Sequence, residues 1–220
     1  MAIAFDANTL NSTSNPVTSK TVAHTATGSD LACVVATLGS AVADRITNVT
    51  YDGVEMAKVN VIAPGAVQNR YSTLWYLAGI PSGTVNVIAT SSVSDFIRMY
   101  ISTYSGVTSG AHDANATKGD TAATTTPSVT LTTVADNCWA VAYFSNAGGA
   151  TYSSGTVYDE RDGTAETGRG FGDSGESLAT AGSKTLTATA SISEEYVSQV
   201  VSFAPSSAAA VVNHWLLMGV

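Results

Sequence analysis

Charge is scarce in this chain, and basic charge scarcest. Only 12% of its 220 residues are charged, and the nine basic residues stand singly between Lys20 and Lys184. Binding a phosphate backbone needs clustered Lys and Arg, so no nucleic-acid partner is expected. The formal net charge of −8 instead favours solubility and low non-specific adhesion. Cysteine is almost as rare. Cys33 and Cys138 lie in apolar, strand-like runs, without the Cys-x-x-Cys or Cys/His spacing of a zinc site. They read as two buried thiols, with a disulfide between them left open. No apolar run reaches membrane-span length, so no membrane span is expected. The start, "MAIAFDANTLNSTSNP", lacks the basic and apolar regions of a signal peptide. Together with Met1, that leads to the expectation of a protein released by lysis as part of a virion. P-loop, dinucleotide and HExxH patterns are missing, as is any calcium-binding nonapeptide array, and no cofactor or metal is expected. Helical periodicity is missing as well over any stretch longer than about ten residues.

Short β-patterned runs are what the chain has. Hydrophobic residues make up 45% of it, and Thr, Ser, Asn and Gly must supply most of the polar surface. Segments such as "LACVVATL", "ITNVTY", "STLWYLA", "TVNVIAT", "CWAVAYF" and "YVSQVVSF" are rich in β-branched and aromatic residues and are bounded by turn formers. "YDGV" at Tyr51–Val54 carries an Asp-Gly hairpin turn. The expected fold is all-β: a jelly-roll-like antiparallel β-sandwich with little or no helix.

The strand pattern recurs. "TVAHTATGSDLACVVATL" from Thr21 is answered by "SVTLTTVADNCWAVAYF" from Ser128, and "VTYDG" by "TVYDE". "LAGIPSGTVNVIATS" is answered by "LATAGSKTLTATASI", and "DFIRMYISTYSG" by "EYVSQVVSFAPS". The order is kept while the offset drifts from about 107 to about 99 residues, which points to a pseudo-duplication. Residues 1–205 are expected to form one sandwich from halves at about 19–107 and 125–205, with two tandem sandwiches as the alternative. A polar linker would join the halves at residues 108–127. Residues 206–220 then form a Ser/Ala linker and an apolar tail. In that tail Val211, Val212, Trp215, Leu216, Leu217 and Met218 are too apolar to stay exposed together. They either pack on their own sandwich or contact a neighbouring subunit or partner.

Gly172–Gly175 spells GDSG, the surroundings of the nucleophile in chymotrypsin-like proteases, and "TVAHT" loosely echoes that family's histidine motif. The echo fails in context. His24 aligns in the repeat with the region of Leu131, an ordinary strand position. GDSG is followed by Glu176-Ser177 where the family has Gly-Pro, and no Ile-Val-Gly-Gly opens the chain. A serine hydrolase using Ser174 is therefore the least supported reading, and no catalytic residue is expected. The loop at 159–177 holds Asp159, Glu160, Asp162, Glu166, Asp173 and Glu176. It reads as a solvated acidic loop, with calcium binding left open. Tyr71, Trp75 and Tyr76 read either as strand core or as a platform for sugar stacking, with Tyr152 and Phe171 as further candidate loop aromatics.

The phrases "ITNVTYDGVEMAKV", "LWYLAGIPSGTVNVIAT", "YISTYSGV", "TTVADNCWAVAYFSNAGG" and "VVSFAP" resemble a loosely defined family of phage and bacterial β-sandwich proteins. The resemblance covers most of residues 20–205. It implies a jelly-roll-like, concanavalin-like sandwich with a role on a particle surface, an appendage or in adhesion, and brings no site residues with it. The leading expectation is a non-enzymatic phage virion protein on the particle exterior: a head decoration, head fibre or tail-associated subunit. Its partners would be other virion proteins and copies of itself. The alternative is an extracellular carbohydrate-binding or adhesion module that meets a cell-surface glycan.

Overall fold

The computed structural model describes residues 1–12, 15–39, 44–62, 71–146, 148–161 and 167–206. Among these the chain forms seventeen β-strands and no helix. It is an all-β protein of antiparallel sheets packed face to face. The first half holds β1 (Ala4–Ser12), β2 (Val17–Ala26), β3 (Leu31–Leu38), β4 (Ile46–Tyr51), β5 (Val54–Glu55), β6 (Ala57–Ile62), β7 (Ser72–Ile80), β8 (Gly83–Asp95) and β9 (Arg98–Ser105). The second holds β10 (Ala114–Thr124), β11 (Ser128–Thr133), β12 (Trp139–Asn146), β13 (Tyr152–Thr156), β14 (Asp159–Glu160), β15 (Arg169–Asp173), β16 (Gly182–Ala190) and β17 (Glu194–Phe203).

The two halves share one strand order. In the first, β1-β9-β3-β7-β6 forms one sheet and β2-β8-β4-β5 the other. In the second, β10-β17-β12-β15-β14 and β11-β16-β13 repeat those orders, and among the described residues only β5 lacks a counterpart. Consecutive strands β1 to β4 alternate between the two sheets, as do β10 to β13. Ladder register makes the equivalence residue by residue. Ala32 pairs with Tyr104 and Trp139 with Phe203, while Val22 pairs with Val87 and Val129 with Leu186. That register sets Leu31, rather than Cys33, against Cys138. The slip is two residues and so preserves the faces.

Three cores separate four layers. Val22, Cys33, Val35, Val49, Trp75 and Ile101 lie between the sheets of the first half. Val129, Ala140, Phe144, Leu186 and Val200 do the same in the second. A third core, with Tyr76, Tyr100, Tyr104, Trp139, Tyr143, Phe171 and Phe203, joins the inner sheets of the two halves. The single sandwich expected over residues 1–205 thus resolves into two stacked ones. The sequence follows this layering. β3 and β12 are buried along their whole length and read as unbroken apolar runs, because their sheets are covered on both faces. β2, β8, β11 and β16 lie in outer sheets and alternate buried with exposed residues over much of their length. Each buried ring of the seam contributes about 1.5–3 kcal/mol of transfer energy, so the seam is a core in its own right.

Two segments depart from expectation. The polar linker proposed at 108–127 contains β10, an edge strand on β17, so the repeat extends to β1 and β10 at the start of each half. "ANATKGDTAAT" lacks the β-branched alternation of an inner strand, as an edge strand can. The Gly-rich acidic loop contains β15, which is buried throughout. Its glycines are there for close approach. A Cβ on Gly170 would meet the Tyr152 ring at 2.8 Å, and one on Gly172 the Tyr158 ring at 2.8 Å. The Asp-Gly turn forms as expected, with positive φ at Asp52 (51°) and Gly53 (79°).

Candidate functional site

The GDSG turn closes β15 at the seam, and its charge is spent there. Asp173 is fully buried. Arg161 Nε donates to Asp173 Oδ2 at 2.8 Å and its Nη2 to Oδ1 at 2.9 Å. Tyr104 of the other half donates its hydroxyl to Oδ2 at 3.0 Å, and Gly175 N donates to Oδ1 at 2.8 Å. The Arg161 guanidinium also lies 4.4 Å from the centre of the Phe5 ring, and Asn8 Nδ2 donates to Arg161 O. The bidentate hydrogen bond to Asp173 holds the Arg161 pKa above its ordinary value. Burial, then the Asp173 charge, push the Tyr104 hydroxyl well up. This is a clasp between the two sandwiches. Gln199 Nε2 donating to Ser72 Oγ at 2.6 Å, and Asn60 Nδ2 donating to Val200 O at 3.0 Å, add further polar links across the seam.

Ser174 is turned into the turn itself. Its hydroxyl donates to Glu176 O at 2.7 Å and accepts from Ala140 N at 3.3 Å, and the residue is 3% exposed. His24 lies in the other sandwich, on β2, so the two halves of the protease echo do not meet. Two further carboxylates of this segment are also engaged. Glu160 accepts from Tyr158 OH at 2.7 Å and from Phe171 N at 3.0 Å, and Asp159 lies 3.9 Å from Arg161. Asp162 and Glu166 fall outside the described residues. Among the described residues no three His, Cys, Asp or Glu side chains converge on a possible metal position.

The sugar-stacking platform does not form. Trp75 and Tyr76 are neighbours on β7, so they face opposite sides of their sheet. Trp75 enters the core of the first sandwich, where its Nε1 donates to Thr73 Oγ1 at 2.8 Å. Tyr76 enters the seam and stacks on Phe203 at 5.8 Å. Each is 2% exposed, and Tyr152 and Phe171 are buried too, leaving only Tyr71 partly exposed. Cys33 and Cys138 are free, buried thiols; Cys33 faces the first core, while Cys138 lies just before β12 and donates to Ala135 O at 3.1 Å. The proposed tail contacts Val211, Val212, Trp215, Leu216, Leu217 and Met218 lie outside the described residues.

A second polar constellation, centred on His24, sits where β1 and β2 edge the first sandwich. Thr103 Oγ1 donates to Asp6 Oδ2 at 2.9 Å. With that proton committed, Thr103 Oγ1 accepts from His24 Nε2 at 3.1 Å, so the neutral imidazole carries its proton on Nε2. His24 Nδ1 therefore accepts from Thr9 Oγ1 at 2.9 Å. Thr27 donates from its backbone N (3.1 Å to Oδ2) and its hydroxyl (2.6 Å to Oδ1) to Asp6. Burial lowers the His24 pKa, against the charge of Asp6. Burial pushes Asp6 up, but hydrogen bonds from Thr27 and Thr103 outweigh it and leave it below its ordinary value. Arg161, Tyr104, Asp6 and Thr9 carry no motif and were not legible as partners. The repeat offset, extended to the first strand, would have aligned Asp6 with Asp113.

No protein-family model, curated protein or solved structure matches the chain. Its functional reading therefore rests on its own geometry.

Proposed function

We propose that the chain is a structural subunit on the exterior of a phage virion, acting by packing and by presenting a stable β surface. The observation that carries this reading is the seam. Asp173 of the GDSG motif is folded inward in the Arg161–Asp173–Tyr104 clasp, which makes one body of two sandwiches. The outer sheets then present cross-strand hydroxyl pairs such as Thr25–Thr84 at 2.8 Å and Thr130–Thr185 at 2.7 Å. The alternation of strands between sheets in each half supports a jelly-roll-like reading, an architecture used by capsid proteins and lectins alike. The lectin-like alternative loses support because Trp75 and Tyr76 are buried. Subunit contact is assigned to the apolar tail, through Val211, Val212, Trp215, Leu216, Leu217 and Met218. That tail leaves from Ser206, which is held by its N–H to Gly106 O at 2.8 Å and by the Met1 amine on its own carbonyl at 2.7 Å.

The test is particle association. Particles banded by density from a lysate of the source should carry the chain, detected by mass spectrometry. A chain truncated after Ser206 should fold but stay in the soluble fraction. Absence of the full chain from the particles overturns the reading, and unchanged incorporation of the truncated chain overturns the role of the tail.

A further inference from the structure

The duplication supplies an internal control for the His24 constellation. Register places Asp6 opposite Asp113 in the repeat, Thr103 opposite Ser202, and Thr27 opposite Val134. Asp113 accepts from Ser202 Oγ at 3.1 Å, from Val134 N at 3.0 Å and from Ala135 N at 2.9 Å. The carboxylate that clamps the loop after the second strand is thus common to both halves and belongs to the fold. His24 and Thr9 do not. Their counterparts are Leu131, a buried core residue, and Ala116, packed against the same core. The second half fills this place with two apolar side chains, so the fold does not call for a histidine holding a threonine hydroxyl.

What the first half adds is the arrangement of an activated nucleophile. A hydroxyl lies within hydrogen-bond reach of a base, and the base is oriented through its other nitrogen by a third group. The chain runs Thr9, His24, Thr103, Asp6, with every proton pointing towards the carboxylate. His24 is 1% exposed, while Thr9 lies on an edge strand and is partly open to solvent. Because β1 is an edge, alternate backbone N–H groups at or next to Thr9 point away from β9. Among the described residues the imidazole meets the hydroxyls of Thr9 and Thr103 and, edge to face, the ring of Tyr51 with 6.4 Å between centroids, with Asp6 behind Thr103. These groups are neutral or anionic, which suits a neutral acyl carbon rather than a phosphate.

We propose that Thr9 is an acyl-attachment site, its hydroxyl activated by His24 to form an ester with an activated acyl donor. Thr9 Oγ1 bonds to the acyl carbon while its proton passes to His24 Nδ1. The bond from that carbon to the donor's leaving oxygen breaks, and the leaving group departs with the electron pair. His24, transiently cationic, is held by Asp6 through Thr103 and then returns its proton to solvent. His24 acts on the reacting atoms; Thr103 and Asp6 are positioning residues. The inference does not depend on the virion reading.

The experiment treats the full chain with 4-nitrophenyl acetate, following 4-nitrophenolate release and mapping acetyl groups by peptide mass spectrometry. The expected result is a burst of one 4-nitrophenolate per chain and one acetyl group on Thr9, with a rate that rises with pH as His24 loses its proton. His24→Leu and Thr9→Ala install the residues of the second half, so both variants should fold, checked by circular dichroism. Each should lose at least about tenfold of the labelling rate at this position, and Thr9→Ser should retain it. Acetylation confined to lysines and the amino terminus, or labelling of Thr9 at an unchanged rate in His24→Leu, overturns the proposal.

Discussion

Replacing Arg161 with methionine removes the charge that balances Asp173 while keeping much of the apolar stem over Phe5. Asp173 has no exposed surface, and among the described residues its carboxylate would retain only Tyr104 OH and Gly175 N as donors. Two charge-assisted hydrogen bonds are lost, each worth about 1.5–3 kcal/mol, together with a cation–π contact of about 0.5–1 kcal/mol. Breaking one side of a buried pair typically costs about 3–5 kcal/mol. The Arg161 side chain is 23% exposed, so water reaches its side of the pair, and the lower end, about 3 kcal/mol, applies. For a chain of this size that lowers Tm by about 6–12 °C. Urea unfolding followed by fluorescence and circular dichroism measures it. Because Tyr104 and Asp173 belong to different halves, Tyr104→Phe should be strongly non-additive with Arg161→Met in a double-mutant cycle. A loss under about 1 kcal/mol for Arg161→Met, or strict additivity with Tyr104→Phe, would refute the clasp.

Burial keeps His24 neutral, so the unfolded chain, with a histidine pKa near 6.5, takes up a proton first. Stability should therefore be fully present above that value and fall as pH drops below it, approaching about 1.4 kcal/mol per pH unit. His24→Leu should reduce the fall of Tm between about pH 7 and pH 5, with His112, also held down by burial, keeping a smaller slope of the same sign; an unchanged slope would count against the burial argument. Gly172→Ala should cost about 1–3 kcal/mol through overpacking against Tyr158 and Asp159 O, read from the urea midpoint. Burial pushes the Cys138 thiol up to about 12 and the Cys33 thiol higher still. Ellman's reagent should accordingly find no reactive thiol in the native protein and two in urea.

Alternation of Val, Thr and Tyr with polar residues was enough to place most of the strands, because outer strands here have one wet and one dry face. Unbroken runs such as "LACVVATL" and "WAVAYFSN" carry a further message that is hard to read alone: a sheet covered on both sides. The repeat was visible, but its first strand was not, since β1 and β10 are edge strands with little apolar patterning. β15 was hidden for a different reason. "RGFGD" looks like a turn, yet its glycines serve to admit the rings of Tyr152 and Tyr158. The clasp was illegible because Arg161 and Tyr104 reach Asp173 only through the stacking of two halves. His24 was found for the wrong partner. Its alignment with Leu131 first counted against a role, whereas in the structure the same substitution marks His24 as dispensable to the fold.

The stack of four layers is tested most directly by a distance between its two outer faces. Sheets pack about 10 Å apart, which separates the outermost sheets by at least about 30 Å. Thr25 and Thr130 are exposed residues of opposite outer sheets. With spin labels on Thr25→Cys and Thr130→Cys, double electron–electron resonance should give one narrow distribution beyond about 30 Å. A separation near the roughly 10 Å of two facing sheets, or a broad spread from halves that move independently, would contradict the stacked arrangement.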